Sequence, residues 1–446
     1  MTLLLYSVML WLAQPFLRRK LRRRSKQEPG YLVAVEERFG HYQGAPYSVS
    51  DGLVWIHAVS LGETRTAAVL VARLRESLPG IRLLLTHGTA TGRAEGATLM
   101  RPGDVQSWQP WDTPGAVVRF LTHFKPRVGI LLETEIWPNL VAGCQRLQVP
   151  LVLANARMSD KSMRQARRLA WLSRPALGAL TAVWAQSAAD ADRLEQLGAT
   201  VHGVYGNLKF DAAPNPAQVA TGRAWRQKTG RPVVMFASSR DGEEAALLRV
   251  LESNRLPAPV SLAQGDIDSI ADDIQWLIVP RHPQRFDEVA ALIERHGFAV
   301  SRRSAWSAGP PAVLPASHGP VIWLGDSLGE MAQYYGLADV ALLGGSFEPL
   351  GGQNLIEAAA CACPVLTGPH TFNFAEAVEL AVVAGAAQRL PGLPQAVAAA
   401  QTLLNHPRAL AAMVGAATEF SNAHRGAVEK TANAVVALWS AQFDAP

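Results

Sequence analysis

Gly344-Gly345-Ser346-Phe347-Glu348-Pro349-Leu350-Gly351-Gly352-Gln353-Asn354-Leu355-Ile356-Glu357 joins an apolar run at 340–343 to an Ala-rich stretch ending at Pro364-Val365-Leu366. A β-rich run, a glycine loop, a helical stretch over 354–362 and a second β-rich run make one repeat of an α/β fold. Two glycine pairs let the backbone turn tightly and approach a ligand closely. The second pair is expected to open directly onto the helix, whose unpaired amides would face an anionic phosphate. Asn354 and Glu357 stand three apart on that helix, so both project from one face of its first turn, where a carboxylate can accept from ribose hydroxyls. The stretch reads as the outline of a nucleotide-sugar pocket or, from these residues alone, as a glycine turn into a packing helix.

The same alternation extends in both directions. Strands are expected at 54–59, 81–86, 127–132, 151–154, 182–185 and 202–205, with amphipathic segments such as 64–78 and 188–197 between them. After a Pro- and Ala-bearing linker at 209–216 the pattern restarts, with strands at 233–237, 276–279, 298–302, 321–324, 340–343 and 365–366 and helices such as 242–254 and 286–296. Strand, helix, strand at this spacing predicts parallel sheets covered on both faces, hence two Rossmann-like, doubly wound domains facing a central cleft. The chain of 446 residues suits two such cores, and the expected division is 1–27, 28–208 and 209–446. Pro-, Ser- and Ala-rich stretches at 256–266 and 303–317 read as surface loops.

Three cysteines, Cys144, Cys361 and Cys363, form no paired framework and stand near no histidine cluster, which fits a reducing compartment and excludes a zinc site. The formal net charge of +5 is concentrated in Arg18, Arg19, Lys20, Arg22, Arg23, Arg24 and Lys26; with these seven set aside the remainder is near −2, so no nucleic-acid partner is expected. The basic cluster follows an uncharged apolar run over 2–17, the reverse of a cleavable secretory signal. A retained membrane-anchor helix is expected, either inserted shallowly or crossing, with its arginines on the cytoplasmic side against anionic phospholipid. The run is slightly short for a crossing, and Gln14-Pro15 is expected to interrupt its end. The alternative is a buried N-terminal helix with a solvated basic face.

Five places offer chemistry. Ser60-Leu61-Gly62-Glu63 follows the first strand: Glu63 is either the partner of Ser60 in a helix capping box or a carboxylate at the strand end poised to take a proton from a hydroxyl. Glu133 follows the strand at 127–132, and Glu135 beside it is alternatively a first-turn helix carboxylate. Lys209 is a solvated linker lysine or an ammonium placed to stabilise charge on a leaving phosphate. Pro280-Arg281 ends a strand and offers a guanidinium to a phosphate or base, or to solvent. Asp326-Ser327-Leu328-Gly329-Glu330 leaves another strand through a turn that supplies amides to a nucleotide or merely caps a helix. No Walker A sequence, G-x-G-x-x-G after a strand or metal-ligand cluster is present.

Taken together, HAVSLGET, THGTATGR, ETEIWPN, NARMSDKS, GNLKFD, VPRHPQRF, DSLGEM, GGSFEPLGGQNLIEAAA and GPHTFNF occur in an order that resembles the 3-deoxy-D-manno-octulosonic acid (Kdo) transferases of lipopolysaccharide assembly over nearly the whole chain. The resemblance implies a GT-B fold and an inverting, metal-independent transfer of one or two Kdo residues from CMP-β-Kdo to lipid IVA. It also implies association with the cytoplasmic face of the bacterial inner membrane and no cofactor. By motif, Glu63 would be the proton acceptor, Glu133 and Lys209 would stabilise the transition state, and Pro280, Arg281, Leu328, Gly329, Glu330, Asn354, Leu355, Ile356 and Glu357 would hold CMP. Gln353 and Leu355 depart from the His and Pro common in the family, which bears on the donor contacts and not on the fold. A nucleotide-sugar epimerase of similar architecture and a non-catalytic lipid- or nucleotide-binding protein are the competing classes.

Overall fold

The computed structural model describes residues 2–441 apart from 49, 51, 255–273 and 312–319. The expected loop at 256–266 and part of the one at 303–317 therefore lie outside the described residues. Two compact units are present, one comprising Met1–Ala212 with His424–Pro446 and the other Ala213–Ala423. The second unit thus begins four residues later than the expected 209, and the end of the chain returns to the first unit.

In the first unit, β1 (Leu53–His57), β2 (Arg82–His87), β3 (Val105–Trp108), β4 (Val128–Leu132), β5 (Leu151–Ala156), β6 (Ala182–Ala185) and β7 (Val201–Val204) form a parallel sheet in the order β3-β2-β1-β4-β5-β6-β7. Successive residues of a strand face opposite sides. Leu53 and Trp55 of β1 accordingly pack with Phe120 and Leu121 of the helix Pro114–Phe124. Val54 and Ile56 pack with Ala67, Leu70 and Leu74 of the helix Leu61–Ser77. Burial on both faces explains why β4 reads as an unbroken apolar run and β1 as one that only His57 departs from. The second face is completed from far along the chain by Val428, Ala432, Val435 and Trp439 of the helix Ala427–Ala441. Asp211 receives the amides of Gly426 and Val428 at the start of that helix, at 2.6 and 2.9 Å.

The second unit repeats the plan with β8 (Val233–Ser239), β9 (Gln275–Pro280), β10 (Ala299–Arg302), β11 (Val321–Leu324), β12 (Val340–Leu343), β13 (Val365–Thr367) and β14 (Ala387–Arg389), all parallel, in the order β10-β11-β9-β8-β12-β13-β14. All twelve expected strands are present. The two additional ones, β3 and β14, are short edge strands.

In each sheet the crossovers diverge from one neighbouring pair of strands, a switch point at β1 and β4 in the first and at β8 and β12 in the second. Ligands of open α/β sheets bind at the carboxyl ends of the strands flanking such a switch point. Those four strand ends lead into Val59–Glu63, Glu133, the segment 238–243 and the 344–347 glycine loop.

The N-terminal helix, Thr2–Arg24, runs through Gln14 and Pro15 without a break, so these two residues interrupt the apolar run and not the helix. One side docks on the first unit: Tyr6 Oη donates to Asp112 at 3.0 Å, Ser7 Oγ to Asn139 Oδ1 at 3.0 Å, and Arg18 pairs with Glu36 at 2.6 Å. Leu4, Leu5, Val8, Met9, Trp11, Leu12 and Phe16 are exposed, which removes the reading as a buried helix with only a basic face in solvent. No helix among the described residues is long and apolar enough to cross a membrane.

Candidate active site

The start of the helix Leu61–Ser77 forms the capping arrangement expected of Ser-x-x-Glu. Ser60 Oγ accepts from the Glu63 amide at 3.3 Å. The Glu63 carboxylate reaches back to accept from the Val59 amide at 2.7 Å and from Ser60 Oγ at 3.0 Å. A carboxylate has about four lone-pair sites, so these bonds do not exhaust it. Burial, and next the negative charge of Glu133, push the Glu63 carboxyl up to about 7, outweighing the bonds from Val59 and Ser60 that favour its ionised form. Capping and proton acceptance are therefore compatible in one side chain: the cap holds it still, while its surroundings raise its proton affinity.

Glu133, just past β4, has a left-handed backbone (φ 63°) that a non-glycine residue adopts only under constraint. The constraint is a pair of main-chain bonds to the neighbouring strand segment: its amide donates to Ala154 O at 3.1 Å, and its carbonyl accepts from Arg157 N at 3.2 Å. So held, Glu133 Oε1 meets Lys209 Nζ at 2.7 Å. Lys209 is therefore not a solvated linker residue: it lies in a short 3₁₀ turn, Leu208–Asp211, with Asn207 Oδ1 capping its amide at 3.0 Å. Glu135 precedes the helix Pro138–Arg146 and accepts from Trp137 Nε1 at 2.9 Å, so it is not in that helix's first turn. Burial raises its carboxyl as well. Glu63, Glu133 and Lys209 thus come together at the switch point of the first sheet.

In the second unit, Gly344 permits close approach, since a Cβ there would lie 2.4 Å from Ser238 O; Gly345 takes a left-handed φ of 69°. The expected helix begins later than 354, at Ile356, and runs only to Ala360. Asn354 therefore precedes the helix, and its Oδ1 accepts from the Ile356 amide at 3.1 Å. The glycine pair does not open directly onto helical amides, and Asn354 and Glu357 do not share a first turn. Leu355 and Ile356 are buried, each 1% exposed, so only their backbones are available to a ligand. Pro280 closes β9, and the Arg281 amide donates to Ser239 O at 3.0 Å, placing Arg281 beside the end of β8. Asp326 accepts from Ser304 and Arg302 and does not cap a helix. Leu328 is 72% exposed, Gly329 has φ 77°, and Glu330 pairs with Arg303 at 2.8 Å.

Sequence reasoning missed the residue that binds this region together. Glu243, fully buried, accepts from Arg240 N at 2.9 Å, Gly345 N at 2.7 Å and Phe347 N at 3.3 Å, so one carboxylate spans the ends of β8 and β12. Its neighbour Glu244 receives Ser239 Oγ and the guanidinium of Arg285, both at 2.8 Å. Two acids in a helix's first turn resemble ordinary dipole complements, which hid the signal. Arg240, Arg281 and Arg285 surround His282, whose pKa is lowered first by burial and then by their charges. The carboxyl ends of β8 and β9 thus carry three guanidinium groups, of which Arg285 is paired with Glu244 and Glu288. Among the described residues, no three His, Cys, Asp or Glu side chains group to hold a metal ion.

Two doubly wound parallel units of this kind define a GT-B glycosyltransferase fold. A glycosyltransferase from Rickettsia africae superposes with a TM-score of 0.54 at 13% identity, covering 87% of this chain and 98% of that one. A UDP-GlcNAc 2-epimerase from Neisseria meningitidis superposes with a TM-score of 0.51 at 13% identity, covering 83% and 97%. These likenesses concern the fold alone. The sequence-family model described as 3-deoxy-D-manno-octulosonic-acid transferase matches residues 34–212. A 3-deoxy-D-manno-octulosonic acid transferase of Bordetella pertussis is 45% identical over 425 residues, 94% of each chain. The chain belongs to the Kdo transferase family.

Proposed function

We propose that this protein transfers Kdo from CMP-β-Kdo to lipid IVA by a single inverting displacement that uses no metal ion. An acceptor hydroxyl attacks the anomeric carbon of Kdo as the bond from that carbon to the phosphate oxygen breaks. The electron pair leaves with CMP, and the hydroxyl proton passes to the Glu63 carboxylate. CMP departs as an ionised phosphate monoester, so base catalysis and positioning are the main tasks. The observation that carries this reading is a fixed carboxyl raised to about 7, well suited to a general base near neutrality, at the same switch point as the Glu133–Lys209 pair. Glu133 orients the Lys209 ammonium, which stabilises the charge developing in the transition state.

Donor binding falls to the strand ends of the second unit, with Arg281 on the phosphate and the 328–330 and 354–357 segments supplying backbone and carboxylate contacts to the nucleotide. Residues 1–26 hold the protein to the cytoplasmic face of the inner membrane, with the exposed apolar side of the first helix lying in the interface and its basic end against anionic headgroups. Mass spectrometry of lipid IVA after incubation with the protein and freshly generated CMP-Kdo tests the reaction. A gain of one Kdo unit marks a monofunctional enzyme and a gain of two a bifunctional one; no gain with the folded protein and intact donor overturns the proposal.

A further inference from the structure

Asn155 lies at the end of β5 and is only 2% exposed, yet its backbone takes the left-handed φ of 51°. The pairing of β5 with β6 slips register there, between Leu153 and Ala156. Residues on either side of it hold Glu133: Ala154 O accepts the Glu133 amide at 3.1 Å, and Arg157 N donates to the Glu133 carbonyl at 3.2 Å. Its own side chain reaches the opposite partner of the ion pair, because Asn155 Oδ1 accepts from the Leu208 amide at 3.0 Å, next to Lys209. Gln186 Nε2 fixes the Asn155 carbonyl at 2.9 Å. The residue is therefore clamped where the backbone carrying Glu133 and the turn carrying Lys209 come together.

We propose that Asn155 is a positioning residue for transfer, setting Lys209 against Glu133 by holding the 208–211 turn with its side-chain oxygen while its kinked backbone admits Glu133. This rests on the role proposed above for Lys209. The residue type follows from three simultaneous demands: left-handed backbone, a hydrogen-bond acceptor and no charge. Asn tolerates that backbone better than most side chains. Glycine would adopt it but offers no acceptor. Aspartate would accept, but would bring a further carboxylate to a site already holding Glu63, Glu133 and Glu135. The sequence places Asn155 just past the expected strand at 151–154, at the start of the segment NARMSDKS, and offers no role for its side chain.

The test is a coupling cycle on the full chain, assayed with CMP-Kdo and lipid IVA. Asn155→Gly is expected to lower kcat on the order of 10²-fold, the scale of a small misplacement of a catalytic group, with KM for the donor within about twofold of wild type. In the Lys209→Met background it is expected to cost less than about twofold more, because its effect passes through Lys209. Additive losses, or wild-type kcat in Asn155→Gly, overturn the inference. Asn155→Asp, which keeps the acceptor but adds the unwanted charge, provides the check if the glycine variant does not fold: a loss of kcat smaller than that of Lys209→Met supports the positioning role, and a loss as large overturns it. Wild-type kcat in Lys209→Met alone instead overturns the reading of Lys209, and the inference falls with it.

Discussion

Lys209 Nζ stands 2.7 Å from Glu133 Oε1 across 76 residues of sequence, with both side chains about four-fifths buried. Neither end is a long side chain sampling solvent: one comes from a capped 3₁₀ turn, the other from a residue whose backbone two hydrogen bonds hold in the left-handed region. The pair is thus built before substrate arrives, the condition under which a charge stabilises a transition state without first reorganising. Lys209→Met is expected to lower kcat by about 10²- to 10³-fold with little change in the donor KM. Steady-state kinetics check this, and a rise in KM with kcat intact would show uniform donor binding instead.

The raised carboxyl of Glu63 sets a pH dependence. As a base it must be ionised, so kcat/KM should fall as pH drops through about 7, with the slope of a single protonation. Burial makes the larger contribution and the negative charge of Glu133 the next. Glu133→Gln should therefore move the midpoint to lower pH while lowering the plateau. A pH–rate profile of the two proteins decides it; an upward shift in the variant contradicts the arrangement. Glu63→Gln should abolish transfer while leaving CMP binding intact, as isothermal titration would show.

Glu243 receives three backbone amides from two loops, so removing it affects shape as well as charge. Each buried amide left without an acceptor costs about 1–3 kcal/mol. Glu243→Ala should therefore destabilise the second unit by about 3 kcal/mol or more, readable by thermal melting, and weaken CMP by at least about tenfold. Glu243→Gln keeps one acceptor oxygen and should fall between wild type and Ala. Undiminished CMP affinity in the Ala variant would show that the glycine loop keeps its form without this carboxylate.

The exposed apolar side of the first helix predicts interfacial binding. Burying a large apolar side chain is worth about 1.5–3 kcal/mol, so replacing Leu5, Trp11 and Phe16 by Ser should lower partitioning onto anionic vesicles by more than about 100-fold. Neutralising Arg22, Arg23 and Arg24 should weaken binding by about 1 kcal/mol per residue, an effect that high salt erases. Flotation of the full-length variants with vesicles gives both numbers. Unchanged flotation of the serine variant would assign that face to another partner.

Strand positions were largely legible because parallel strands buried on both faces appear as short apolar runs between helical stretches. The two missed strands lack that signal for a physical reason. Val105-Gln106-Ser107-Trp108 and Ala387-Gln388-Arg389 lie at sheet edges, where fewer side chains are buried and polar residues are tolerated. The start of the helix after the glycine pairs was misplaced because Asn354 favours helical capping positions yet here turns the chain two residues before the helix. Glu63 was legible as both cap and base, and the geometry contains the cap. Contributions of Asn155 and Glu243 were invisible, since each depends on partners about 50 to 100 residues away.

The return of the helix Ala427–Ala441 to the first unit has a consequence for biosynthesis. The ribosome finishes the central unit, Ala213–Ala423, before the side chains of Val428, Val435 and Trp439 exist to close the core begun by Val54 and Ile56. The first unit is thus completed after the central one, and its β-sheet waits with one apolar face partly uncovered until this helix has been made. A nascent chain stalled just short of this helix should carry a protease-resistant central unit beside a protease-sensitive N-terminal one.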